Sequence, residues 1–247
     1  MSEYLAVIFL SLLSGLTTII GVVLALIFKK NSKAIAIGMG FAAGIMLLLS
    51  LFELIPESLT VLEPIPVLLT AGSGALALAI LNLTIPHTHF FKERGCLNNT
   101  LLKSAYLIAL GLVLHDFPEG FAMANSYIFS PNLGVFVAVG IALHNIPEEF
   151  AIAAPLVASN SKRDTLFKTA LISGLAEPMG AILGLFAVAL FSFLNPYFMA
   201  FAAGAMIFIS LHELLPVAKA CKKPLLFIIG VIFSIVIYLA LNRIIPE

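Results

Sequence analysis

The chain has 247 residues, 61% of them hydrophobic and 11% charged, with 13 basic and 13 acidic side chains and no formal net charge. Soluble globular domains carry roughly 25% charged residues, so this composition excludes a water-soluble domain and points to an integral membrane protein whose solvent is the lipid bilayer. No nucleic-acid partner is expected.

Runs of about 20 apolar residues cross the hydrocarbon core as helices. Eight are read in chain order, near 4 to 28, 34 to 56, 66 to 85, 101 to 129, 134 to 158, 166 to 193, 196 to 219 and 224 to 245. The expected fold is an all-α membrane protein, one transmembrane domain over 1–247, because the links are too short for a soluble domain. The first run lacks a basic leader and closes on Lys29-Lys30, so it reads as a first span rather than a signal peptide.

Lys29, Lys30 and Lys33 follow span one, Lys92, Arg94 and Lys103 precede span four, Lys162, Arg163 and Lys168 precede span six, and Lys219, Lys222 and Lys223 precede span eight. Twelve of the thirteen basic residues thus fall on one side, which the positive-inside rule assigns to the cytosol of a cell (plasma or inner) membrane. Both termini are expected outside. Cys96 and Cys221 fall in inside loops, where thiols stay reduced, so no disulfide is expected.

The chain also repeats itself. Phe41-Ala-Ala-Gly-Ile-Met-Leu-Leu-Leu-Ser-Leu-Phe-Glu-Leu-Ile-Pro56 aligns without a gap on Phe201-Ala-Ala-Gly-Ala-Met-Ile-Phe-Ile-Ser-Leu-His-Glu-Leu-Leu-Pro216, with 10 identities in 16 positions. Spans two and seven run in opposite directions in this topology, as do spans four and five, which share Leu-His-x-x-Pro-Glu-x-Phe-Ala once Phe121 and Phe150 are aligned. The expectation is an inverted 3+2+3 arrangement, the way secondary transporters build a midplane site that opens to either side.

Spans four and five carry the chemistry: His115-Asp116-Phe117-Pro118-Glu119 and, 29 residues later, His144-Asn145-Ile146-Pro147-Glu148. Ionisable groups at such depth cost several kcal/mol unless paired or wetted. Residues four apart share a helix face, so His115 projects with Glu119 and His144 with Glu148. Two opposed faces give two imidazoles and two carboxylates, a set suited to Zn²⁺ or a similar divalent ion. Pro118 and Pro147 lack an N–H and crowd the carbonyls of Leu114 and Leu143, so both helices are expected to kink. Freed backbone at that depth belongs beside protein or a water-filled cavity.

Asp116 and Asn145 are rotated about 100° from the histidines. With Glu148 and with Glu177 of Gly174-Leu-Ala-Glu-Pro178, they make a second, oxygen-rich candidate site, more permissive toward Mn²⁺, Fe²⁺ or Cd²⁺.

These residues resemble the ZIP family of metal-ion transporters, whose fourth and fifth spans carry His-Asn-x-Pro-Glu-Gly and His/Gln-Asn/Asp-x-Pro-Glu motifs. The likeness is closest to the bacterial ZupT-like branch, through Phe41-Ala-Ala-Gly-Ile-Met46, Pro86-His-x-His89, His144-Asn-Ile-Pro-Glu148 and Gly174-Leu-Ala-Glu177, and it covers all eight spans. The resemblance implies zinc uptake into the cytosol, with the ion as substrate and no catalytic cofactor. It further implies a binuclear centre between spans four, five and six, a homodimer, and an elevator-like or rocking motion. By position, the family's first site falls on His115, Glu119, His144 and Glu148 with Met46 as an added candidate, and its second on Asp116, Asn145, Glu148 and Glu177. The chain departs from the pattern twice. Asp116 stands where Asn is usual, and Glu149 stands where Gly is usual; Glu149 reads as a ligand, a proton carrier or a salt-bridge partner.

Plainer readings stand beside these. Membrane histidines also serve as hydrogen-bond donors between helices, but that explains neither the spacing nor the repetition of the two motifs. Glu177 could be a protonated packing carboxylate. Met46 and Met206 fit gap-filling in a core better than ligation. His87 and His89 are loop candidates for metal delivery. Glu53, near the outer end of span two, and His212 and Glu213, near the inner end of span seven, either line an entrance and exit or satisfy backbone near Pro56 and Pro216. A transporter accounts for the repeats, ligands and prolines together. An intramembrane metalloenzyme accounts for the ligands alone and would be expected to carry His-Glu-x-x-His, which is absent; an enzyme is therefore not expected. A proton-coupled carrier or channel without metal is the third reading.

Overall fold

The computed structural model describes residues 2–28, 31–84, 101–158, 162–216 and 221–245. His87, His89 and Cys96 lie outside the described residues. Among those described, all regular structure is helical. Among the described residues, seven helices are long and apolar enough to cross a membrane: α1 (Glu3–Phe28), α2 (Ser32–Leu59), α3 (Pro64–Thr84), α5 (Pro131–Ala154 as a span, continuing to Ala158), α6 (Arg163–Leu190), α7 (Ser192–Leu214) and α8 (Pro224–Ile244). Between α3 and α5 lies α4 (Leu101–Phe129), 29 residues long and so about 43 Å at the usual helical rise. The protein is a multi-pass membrane protein.

The ends follow local chemistry. Asn31 caps α2 by accepting from the backbone N–H groups of Lys33 and Ala34 at 3.1 and 3.3 Å, satisfying donors that the first turn cannot pair internally. α1 is read as one span but breaks at Leu16, between Glu3–Gly15 and Thr17–Phe28. α4 passes through Pro118, and α5 through Pro147, without ending.

Lipid is as apolar as leucine, so helix association in a bilayer rests on close packing of small residues. Here glycine does that work. A Cβ on Gly15 would lie 2.0 Å from the Gly174 carbonyl oxygen, which brings the α1 and α6 backbones into direct contact. Such contacts also give directions. Thr17 donates to the Ala142 carbonyl at 3.0 Å and Gly21 packs on Ile146 and Phe150, so α1 and α5 run parallel. Asp116 meets Ser173, Gly120 meets Glu177 and Ala124 meets Gly184, so α4 and α6 run parallel. The same holds for α2 and α8 through Gly40 on Phe227 and Gly44 on Ser234, and for α3 and α7 through Gly74 on Phe201 and Asn82 on Glu213. By contrast, Gly38 on Pro147 and Leu49 on Gly140 set α2 antiparallel to α5.

α3 and α8 have only 17% and 11% of their apolar windows buried, against 67% for α2 and 61% for α7, so they form the outer flanks of the bundle. The main apolar core joins Met39, Ile45, Met46 and Leu49 of α2 to Phe136 and Ile141 of α5 and to Met199 and Met206 of α7. Two π-turns interrupt the α-helical bonding, at Leu49–Leu54 in α2 and Ser210–Leu214 in α7. They fall at matching places in the aligned 16-residue segments. At each, a serine hydroxyl donates to a methionine carbonyl four residues back: Ser50 to Met46 and Ser210 to Met206, both at 2.8 Å.

Candidate metal site

The paired motifs meet in the interior. Glu119, His144 and Glu148 are buried, and one ligand atom from each lies within 4.8 Å of the others. His144 Nε2 sits 3.0 Å from Glu119 Oε1 across the α4–α5 interface and 4.0 Å from Glu148 Oε2 on its own helix. His115 joins through Glu148, with Nε2 3.2 Å from Oε1. That approach lacks hydrogen-bond alignment, since His115 Nε2 has no hydrogen-bond partner. The four side chains are thus brought together, with Glu148 as the shared member and the Glu119–His144–Glu148 trio the tightest part.

The imidazole of His144 is oriented by backbone. Nδ1 lies 3.2 Å from the Gly140 carbonyl oxygen. A carbonyl only accepts, so Nδ1 carries the proton and donates it. In the neutral ring, Nε2 then presents a lone pair to two carboxylates, which is repulsive until a cation sits between them. Metal-bound histidines are commonly held this way, with the second ring nitrogen donating to a carbonyl.

Beside this lies the oxygen-rich group. Asn145 Nδ2 donates to Glu177 Oε2 at 3.0 Å, and the Ser173 hydroxyl donates to Asp116 Oδ2. Both α4 and α5 thus reach α6 through the residue after their histidine. Asp116 lies within electrostatic range of Glu119, Glu148, Glu149 and Glu177. Buried oxygens on Glu119, Asn145, Glu148, Glu149 and Glu177 have no hydrogen-bond partner. Acceptor-only atoms left this way are costly to bury unless something positive reaches them.

The remaining candidates divide. Glu213 reaches the histidine group: its Oε2 lies 3.6 Å from His115 Nδ1, and its Oε1 accepts from Asn82 of α3 at 3.1 Å. His212, beside it, is exposed and stacks on Phe208 at 4.8 Å. Glu53 is buried and accepts from the Tyr238 hydroxyl of α8, whose ring packs edge-on against Phe136 at 5.5 Å. Met46 is buried within the main apolar core.

Ser173, Asn82 and Tyr238 escaped the sequence reading, since single polar residues in apolar runs carry no spacing signal. One signal was available. Ser14-Gly15-Leu16 recurs as Ser173-Gly174-Leu175, and the two glycines are the α1–α6 contact. That match would have flagged Ser173 as one turn before Glu177.

The family model described as "ZIP Zinc transporter" matches residues 92–242. Proteins named zinc transporter ZupT are similar along most of their length. The one from Escherichia fergusonii is 39% identical over 85% of each chain. The one from Corynebacterium aurimucosum is 40% identical over 85% of this chain and 86% of its own. The one from Chlorobium limicola is 38% identical over 95% and 96%. The family match spans more than half of the chain and takes in both histidine motifs, Glu177 and Glu213; this chain belongs to the ZIP zinc transporter family.

Proposed function

We propose that the protein carries divalent metal ions, zinc foremost, into the cytosol through the buried His115–Glu119–His144–Glu148 group, with Asp116, Asn145, Glu148 and Glu177 holding a second ion alongside. The observation that carries this reading is His144. Its Nδ1–H is committed to the Gly140 carbonyl while Nε2 faces Glu119 at 3.0 Å and Glu148 at 4.0 Å, a buried N- and O-donor set of the kind that binds zinc. Transport is the activity named for the family and for the relatives, and the oxygen-rich neighbour extends the range toward manganese and iron.

The mechanism we infer is alternating access in an eight-crossing inverted repeat. Support comes from helix direction. α1 and α5 are parallel, as are α4 and α6, which supports a reading in which α4 crosses the membrane like its neighbours. Gly21 packs on Ile146 and Phe150, and Gly180 on Phe117 and Phe121; those partners are offset by 29 positions, the spacing of the two histidine motifs. Bends at Pro118 and Pro147 belong to the same reading, because each proline removes a donor from its helix.

The two glutamates of the repeated segments differ in access. Glu53 is 2% exposed beneath Tyr238, whereas the Glu213 side chain is 24% exposed and touches His115. We infer a conformation open toward Glu213 and His212 and closed at Glu53. Outward termini follow from the charge placement, and the homodimer from the family. Reconstituted protein tests the function: saturable zinc uptake into liposomes, with no hydrolytic product, is expected, and its absence under a zinc gradient would overturn the proposal.

A further inference from the structure

Glu149 is a buried carboxylate that the motif does not require. It is 3% exposed, and its Oε2 has no hydrogen-bond partner. None of Asp116, Glu119, Glu148, Glu149 and Glu177 pairs with a lysine or arginine among the described residues. The charge of Glu149 acts on both Asp116 and Glu148.

Its place in the repeat makes it informative. Gly120 of α4 occupies the equivalent position, and a Cβ there would lie 1.8 Å from the Glu177 carbonyl oxygen. The α4–α6 contact therefore admits no side chain. At the matching α1–α5 contact, the side chain is accommodated because Gly21 stands opposite; a Cβ on Gly21 would lie 2.7 Å from the Glu149 Cβ. One half of the repeat is sealed by backbone and the other holds a carboxylate. Glu149 follows Glu148, so it is rotated about 100° around α5, toward α1.

We propose that Glu149 extends the oxygen-rich compartment beyond Asp116 and Glu148 toward α1, and that this added carboxylate sets the chain's preference toward harder divalent ions such as Mn²⁺ relative to Zn²⁺. The chemistry is ligand hardness. Imidazole suits zinc, whereas carboxylates suit manganese and magnesium, so an added carboxylate favours the ion that gains least from nitrogen. The inference rests on the metal-site reading above.

The test is equilibrium binding of Mn²⁺ and of Zn²⁺, measured separately by calorimetry on the purified full-length protein in nanodiscs. Glu149→Gln keeps the shape and removes the charge. The Mn²⁺:Zn²⁺ affinity ratio should fall roughly tenfold, the scale of losing one supporting group at a metal site, with zinc binding through His144 retained. Glu149→Asp, which restores the charge, should recover part of the ratio. An unchanged ratio in Glu149→Gln, or an equal loss of both ions, would overturn the proposal while leaving the metal site standing. Wild-type protein that binds neither ion would overturn both.

Discussion

Glu119 Oε1 lies 3.0 Å from His144 Nε2, linking two helices that each carry the same four-residue ligand spacing. Because Glu119 and His144 come from different copies of the motif, neither helix forms the site alone. Any motion that slides α4 against α5 changes the distance between ligands, which is how a binding site can be coupled to a change in access.

Asp116→Asn tests the second compartment. The amide preserves shape and can still accept from Ser173, but it removes one negative charge beside Glu119, Glu148, Glu149 and Glu177. Metal counting on purified protein should show fewer tightly bound ions in the variant, with zinc uptake through the histidine group surviving. Equal counts in both proteins would make Asp116 a bystander.

The α4–α6 contact gives a stability prediction. A methyl on Gly120 would lie 1.8 Å from the Glu177 carbonyl oxygen, against backbone that cannot swing away. Gly120→Ala should therefore destabilise the protein by about 1–3 kcal/mol, the usual cost of overpacking, and displace Glu177 from Asn145. Thermal unfolding in detergent checks this. Gly72, with nothing within 4 Å of its added Cβ, is the control, and Gly72→Ala should leave the midpoint unchanged or raised.

Much of this was legible beforehand. The positions of α2, α4, α5 and α8 follow from apolar runs bounded by lysines, and the pairing of His115 with Glu119 and of His144 with Glu148 on one helix face follows from the i, i+4 geometry of each motif. The partners were not legible. That Glu213 touches His115 depends on how far α7 leans on α4, and that Tyr238 covers Glu53 depends on how α8 packs along α2; neither is a local property of the chain. The break at Leu16 is likewise tertiary, beside the backbone contact of Gly15 with Gly174.

Tyr238 and Glu53 should have opposite effects on uptake. Tyr238→Phe keeps the ring against Phe136 but removes one competitor of an incoming ion, the hydroxyl that donates to the Glu53 carboxylate. Its half-saturating zinc concentration should fall, whereas Glu53→Gln should raise it. Uptake curves over a zinc series decide the matter, and shifts in the same direction for both variants would contradict an entry role.

Cys221 reports on orientation and on pH. It lies in the turn before α8, where burial pushes the thiol above its ordinary value and Lys223 opposes the shift. The thiolate is the reactive form, so a raised value means slow labelling at neutral pH that accelerates as pH rises past the range of a free thiol. In a Cys96→Ser background, an impermeant maleimide should follow that profile in inside-out vesicles and leave intact cells unlabelled. Labelling of intact cells would reverse the assigned topology.

The most direct test of the central claim is zinc flux into liposomes reconstituted with wild-type protein or with His144→Ala. Removing the imidazole takes the only nitrogen from the Glu119–His144–Glu148 trio and leaves two buried carboxylates facing each other. With its one nitrogen donor gone, the trio should no longer hold the ion. The account predicts saturable zinc uptake by the wild type and none above background by His144→Ala, with equal amounts of folded, membrane-inserted protein. Wild-type flux through His144→Ala at limiting zinc would contradict it.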